Sequence, residues 1–327
     1  MVKYILKRLL YIVFVFFIIS IVMFCIYKAV PGDPARLMIE GNKNNMDPVR
    51  YETLYQAARE KLGLDQPIYV QYFSWMRNML TGDLGYSIVY KMPVVQMAGA
   101  PMTNTIKLNV YCLIFVFIIT IPLGIATAVH KKTVFDNTVQ VLSIVGYSLP
   151  GFIVALIFIY IFALKLKIFP ISGVSTPGFT GTPWEIYLDE LKYMALPLIV
   201  MVFSSLGGIT RYVRAAMIDA LRMDYIRTAR AKGVKEKVVI YSHAFRNALI
   251  PVVTILTGWF LSIFSGSVVI ERIFLWNGMG KVMLDSLNQQ DFAVVLAFQM
   301  FYVLLALAGN LIMDLAYCLV DPRVKLT

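Results

Sequence analysis

Apolar residues gather along the chain into six stretches separated by polar segments: 9–29, 106–129, 138–164, 194–208, 248–270 and 292–320. A hydrocarbon layer about 30 Å thick needs roughly 20 apolar residues as helix. Each stretch, with the fourth extended towards residue 216, meets that need and is predicted to cross a membrane. The first is too long for a leader's apolar core and lacks a small-residue cleavage pattern, so it is read as a retained helix. Pro150, flanked by Gly146 and Gly151, and Pro197 interrupt the third and fourth stretches. Proline removes a backbone hydrogen bond, so kinks are predicted at both.

The polar intervals differ in character. Segment 30–105 is too long for a simple connector and reads as a small external helical subdomain. In "DPVRYETLYQAAREKLG", Asp47 is the predicted N-cap, Pro48 the first helical residue and Gly63 the position just past the end. A second helix is predicted from Pro67 to just before Gly82. The interval "FPISGVSTPGFTGTPW" is rich in Gly, Pro, Ser and Thr and reads as irregular loop.

Charge fixes the orientation. Lys3, Lys7 and Arg8 precede the first stretch, and Lys131 and Lys132 fill the short second loop. The fourth loop carries Arg211, Arg214, Arg222, Arg227, Arg230, Lys232, Lys235, Lys237 and Arg246, and Arg323 and Lys325 close the chain. These segments alternate along the chain and so share one side, which the positive-inside rule makes cytoplasmic, with both termini inside. Segment 30–105, on the other side, holds seven acids and seven bases. The predicted organisation is therefore an N-terminus and first helix over 1–29, an extracytoplasmic subdomain over 30–105, a five-helix core over 106–320 containing the loop 211–247, and a cytoplasmic tail over 321–327.

Composition agrees. The 327 residues are 59% hydrophobic and only 15% charged, with a mean hydropathy of +0.72. The net charge of +11, set in an aromatic-studded apolar chain, points to a membrane surface rather than to nucleic acid. Cys25, Cys112 and Cys318 lie in apolar runs without metal-ligand spacing, and His130 and His243 are the only histidines. "NGMGKV" has Leu275 where a P-loop needs its first Gly and Val282 where it needs Ser or Thr. No bound cofactor or metal is expected, and a turn is expected at that segment. A membrane enzyme would need Ser–His, paired Asp or a His/Glu motif within the spans, which is not present.

The basic loop has defined punctuation. Asp224 is the predicted N-cap of a short helix, Gly233 its left-handed stop, and Arg230 with Lys232 sit at the negative end of its dipole. Tyr225, Ala229 and Gly233 recur at a spacing of four, a face lined by small residues except for Tyr225, to which another protein could approach closely. A second helix is predicted from Lys235 up to Pro251.

"RTARAKG" (227–233) and "HAFRNALIPVV" (243–253) resemble the cytoplasmic coupling loop of bacterial ABC-importer permeases, although Arg227 stands where the general pattern has Glu. "PGDPA" (31–35), "LGLDQPIYVQYFSW" (62–75), "GDLGYS" (82–87), "GSVVIERIFLWNGMGKVMLDSLNQQDF" (266–292) and "DPRVK" (321–325) narrow the resemblance to the first permease subunit of oligopeptide and dipeptide systems. It covers nearly the whole chain in the expected order.

The resemblance implies an all-α integral membrane protein of the bacterial cell membrane. Its six transmembrane helices would take a type I ABC-importer arrangement, with the external subdomain between helices 1 and 2. Implied partners are a second homologous permease, two ATP-binding subunits that hold ATP and magnesium, and an extracytoplasmic substrate-binding protein delivering peptide. Asp224, Tyr225, Arg227, Thr228, Ala229, Arg230 and Gly233 would form the coupling helix. Glu271 and Arg272 are candidates for an external gate or a binding-protein contact, and Ser148, Ser204, Thr254 and Ser262 for the cavity lining. Nickel-chelator or glutathione cargo is the alternative within this family. A self-contained secondary transporter is the alternative outside it, disfavoured because Asp314 is the only deep acid in the spans.

Overall fold

The computed structural model describes residues 2–40, 47–249 and 262–320, which are overwhelmingly helical. Among the described residues four helices are long and apolar enough to cross a membrane: Tyr4–Ala29, Val94–Val129, Pro183–Leu221 and Phe292–Asp314. The bent pair Val134–Ser148 and Gly151–Lys165 makes five when counted as one span. The middle of the predicted fifth stretch, residues 250–261, lies outside the described residues.

The chain divides into two compact units. The first comprises Met1–Pro101 and Val282–Ala308. It opens with α1 (Val2–Ala29), α2 (Pro34–Glu40), α3 (Pro48–Lys61) and α4 (Ile68–Leu80). Asp47 does precede α3, but its side chain makes no capping bond, and Pro48 with its fixed φ opens the helix. Gly63 follows at φ +61°, and α4 starts after Pro67 and stops before Gly82, as predicted. Two short antiparallel strands, β1 (Tyr86–Ser87) and β2 (Met92–Pro93), follow. Phe16 and Phe24 of α1, Tyr72 and Met76 of α4, and Met300 and Leu307 form the core of this unit. Buried Asp291 accepts hydrogen bonds from the Ser87 hydroxyl and from the Val89 N–H at 3.1 Å.

The second unit comprises Met102–Lys281 and Gly309–Thr327. Helix α5 (Val94–Val129) enters it, followed by α6 (Val134–Ser148), α7 (Gly151–Phe158) with a π-helical continuation through Lys165, and α8 (Pro183–Leu221). The third apolar stretch corrects its prediction: α6 and α7 meet at 106°, a break at Leu149–Pro150 rather than a kink. Pro150 cannot donate to the preceding turn, and it stands as the N-cap of α7. Pro197, by contrast, lies inside α8 without ending it. Thr182 and Glu185 form a reciprocal capping box that starts α8 well before the apolar stretch begins. The 39 residues of α8 span about 58 Å at 1.5 Å per residue, more than a bilayer core, so the helix carries its packing into the basic loop.

Close packing fixes α6 on α8. A Cβ on Gly207 would lie 2.1 Å from the Ser143 carbonyl oxygen, so the two backbones touch where only hydrogen fits. Buried Asp136 of α6 completes the join through Arg214 of α8.

Candidate functional site

The basic loop begins where α8 ends. After Arg222, helix α9 (Asp224–Ala231) turns back, and α10 (Glu236–Val238) continues as a π-helical segment, Val239–Phe245. Asp224 is not the N-cap that the sequence predicted. Met223 takes that position in extended conformation, and Asp224 is the first helical residue, its acid beside the positive end of the dipole. Its carboxylate lies 3.5 Å from Arg227 and is almost fully exposed.

The C-terminus of α9 closes as predicted. Gly233 stands at φ +75°. Its N–H donates to the Arg230 carbonyl at 2.9 Å, and the Val234 N–H to the Ala229 carbonyl at 3.2 Å. These two bonds form a Schellman stop, and Val234 packs on the same core as Ala229. Arg230 spans the turn with Nη2 2.5 Å and Nε 3.1 Å from the two Glu236 oxygens. That hydrogen-bonded guanidinium holds the Glu236 carboxyl below its ordinary range.

Packing decides which face of α9 stays open. Ile226 is fully buried and Ala229 is 8% exposed, both within a core formed with Val213, Met217 and Ala220 of α8 and with Val239, Ile240 and Ala244. The predicted face of Tyr225, Ala229 and Gly233 is thus split: Ala229 turns inward, whereas Tyr225 and Gly233 are exposed. At about 100° per residue, the side opposite Ile226 and Ala229 carries Asp224, Arg227, Thr228 and Ala231, all exposed. A short, capped helix is therefore welded to the end of a long one while presenting a small, mixed-charge surface.

The other predicted residues are scattered. Glu271 lies in α11 (Val268–Ile273), 1% exposed. Its carboxylate accepts the Thr105 hydroxyl at 2.9 Å and the Lys281 N–H at 3.0 Å, with the Gly280 N–H contributing. Burial raises its pKa, and those hydrogen bonds oppose the rise. The carboxylate is therefore an internal tie, and Arg272 is the member of that pair at the surface. In the segment predicted as a turn, the chain bends at Asn277–Gly278 and then forms α12 (Met279–Asn288). Ser148 and Ser262 are exposed, and the Ser204 hydroxyl is buried with no hydrogen-bond partner among the described residues. Thr254 lies outside the described residues. Asp314 is half-buried on α13 (Phe292–Val320).

Sequence reasoning missed the Asp136–Arg214 pair. Arg214 Nε and Nη2 each lie 2.7 Å from a carboxylate oxygen, and the Lys132 N–H donates at 2.9 Å. One signal was legible: Asp136 follows Thr133 by three residues, and Thr133 caps α6 by accepting the Asp136 N–H. The partner on α8 was hidden among the basic residues attributed to orientation.

Residues 120–326 match the family described as binding-protein-dependent transport system inner membrane component, and residues 1–95 match its N-terminal membrane component. The Oligopeptide transport system permease protein AppB of Bacillus subtilis (strain 168) is 40% identical over 326 residues, covering 99% of this chain and 100% of the relative. The Glutathione transport system permease protein GsiC of Escherichia coli (strain K12) is 31% identical over 325 residues, covering 99% of both chains. Members of this family work in general with ATPase and binding-protein partners. The chain belongs to the binding-protein-dependent transport system inner membrane component family, as an ABC-importer permease of the oligopeptide-permease branch.

Proposed function

We propose that this chain forms half of the translocation pathway of an ATP-driven peptide importer in a bacterial cell membrane, with both termini cytoplasmic. A second homologous permease completes the pathway, an extracytoplasmic binding protein delivers oligopeptide or dipeptide, and two separate ATPase subunits hold ATP and magnesium. Full-length similarity to an oligopeptide permease supports the cargo. Glutathione is the second reading, favoured by the similarity to a glutathione permease.

The observation that carries the coupling role is the attachment of α9. Its inner face is locked to the end of α8 by Ile226 and Ala229, while Asp224, Arg227, Thr228 and Ala231 remain open. An ATPase groove that seats this outer face would move α8 whenever the groove moves. The bundle then alternates between two states, and nucleotide binding biases their populations. Glu271 acts at the outer end as a structural tie beneath the exposed Arg272.

A photo-crosslinking residue at Thr228 tests the docking role in the assembled transporter. The expected product is a covalent adduct with an ATPase subunit, and no adduct from Ile171, an exposed residue of the loop before α8. An assembled, transporting complex whose Thr228 position never reaches an ATPase would overturn the assignment. Flux through this chain alone would favour a self-contained transporter instead.

A further inference from the structure

Helix α4 belongs to the segment that sequence patterning places outside the membrane, yet its inner face packs on a membrane-crossing helix. The Tyr72 hydroxyl lies 2.8 Å from the Ser20 hydroxyl. Ser20 is nine residues before the end of α1 at Ala29, about 13 Å along the axis at 1.5 Å per residue. Nearer that end, Lys28 donates to the Gln71 side chain, and Phe24 meets Tyr72 and Trp75 with ring centroids 5.5 and 5.6 Å apart. Helix α4 thus lies against the last three turns of α1.

The residues around α4 sort by angle. At about 100° per residue, Tyr72, Met76, Met79 and Trp75 share one side and pack on α1 and on Met300 and Leu307. Ser74, Arg77 and Asn78 form the opposite, polar side, and Gln71 borders the α1 contact, where it meets Lys28. Between them, on one flank, project Tyr69, Phe73 and Leu80, exposed by 67%, 67% and 65%, while Ile68 and Val70 of the first turn are exposed outside that flank. A helix in water would hide three such side chains. A helix lying along a membrane surface, with its polar arc towards water, directs this flank into the hydrocarbon. The flank is also continuous with α1, whose most apolar window is only 17% buried within the chain.

We infer that α4 is an interfacial helix whose Tyr69–Phe73–Leu80 flank is seated in the acyl chains of the leaflet at the C-terminal end of α1. The occupant is lipid, and the helix anchors the segment leading to β1 at a fixed depth.

The test uses the complete transporter in proteoliposomes, with Cys25, Cys112 and Cys318 replaced and single cysteines introduced as Phe73→Cys, Ser74→Cys and, on exposed α3, Glu52→Cys. Each carries a nitroxide label whose relaxation by oxygen and by a water-soluble nickel chelate is measured. The expected oxygen-to-nickel ratio is several-fold higher at 73 than at 74 or 52, so that adjacent residues of one helix report different phases. Equal nickel access at 73 and 74 would overturn the inference, placing α4 in water. Exclusion of both reagents at 73 would overturn it too, because protein would then cover the flank. Phe73 is largely exposed and meets Tyr72 edge-on at 5.4 Å, and uptake by the labelled transporter shows that the label leaves the fold intact.

Discussion

Arg214 grips Asp136 across the α6–α8 contact with two nitrogens, each 2.7 Å from a different carboxylate oxygen. The carboxylate is 2% exposed and the guanidinium 20%. The pair sits one turn along α8 from Met217, which packs on the core that also holds Ile226 and Ala229 of α9. Helix α9, α8 and the start of α6 are thereby joined into one mechanical body. Displacement of α9 would carry α6 as far as its break at Pro150.

This pair yields an asymmetric prediction. Removing Asp136 leaves the half-buried Arg214 guanidinium without its counterion, costing part of the ~3–5 kcal/mol typical of fully buried pairs, whereas replacing both by apolar residues is often close to neutral. Asp136→Ala is therefore expected to lower the thermal unfolding midpoint in nanodiscs strongly. Asp136→Leu combined with Arg214→Met should restore most of the loss. Equal damage by the single and double variants would show that shape rather than charge matters at this site.

Adjacent glycines in α8 make a second test. A methyl group on Gly207 meets the Ser143 carbonyl at 2.1 Å, while one on Gly208 meets nothing within 4 Å. Gly207→Ala must push α6 away, at a cost of roughly 1–3 kcal/mol for overpacking. Gly208→Ala adds helix propensity worth up to about 1 kcal/mol. The two variants should move the unfolding midpoint in opposite directions.

The short helix α9 and its stop were legible in the sequence because their signals are local. Gly233 takes the left-handed backbone that ends the helix, and Arg230 stands in its last turn. The membrane class was legible because long apolar runs admit few alternatives. Local signals do not report which face a helix buries. Ala229 looked like part of an open face and is buried, because the determining contacts come from Met217 and Val239 at other points in the chain. The burial of Glu271 was hidden for the same reason: its partner Thr105 lies 166 residues away. At Pro150 the residue was identified, but the size of the bend depends on how α7 packs on α8.

Gly233 separates backbone strain from steric contact, since a Cβ there meets nothing within 4 Å. A β-branched residue at φ +75° costs on the order of 1–2 kcal/mol, enough to loosen the Schellman turn without unfolding the bundle. Gly233→Val is expected to insert and assemble normally, to retain ATP hydrolysis, and to take up less peptide per ATP. Gly233→Asn, a residue that tolerates this region, should fall between it and the parent. Unchanged uptake in the valine variant would argue against a rigid coupling turn.

Glu271 supplies a pH dependence whose sign follows from its environment. Burial is the larger influence and raises its pKa above the ordinary carboxyl value, against the hydrogen bonds from Lys281 and Thr105. The folded chain therefore binds this proton more tightly than the unfolded chain. Stability falls with pH wherever the native state holds more protons. This contribution is complete below the unfolded pKa and is lost as pH rises through the raised folded value. Glu271→Gln cannot titrate, so the difference in unfolding midpoint between parent and variant isolates the effect. The parent's relative advantage should be greatest in acid and shrink towards neutral pH. An advantage that grew with pH would mean that the donors around the carboxylate outweigh its burial and that the ionised form is the native tie.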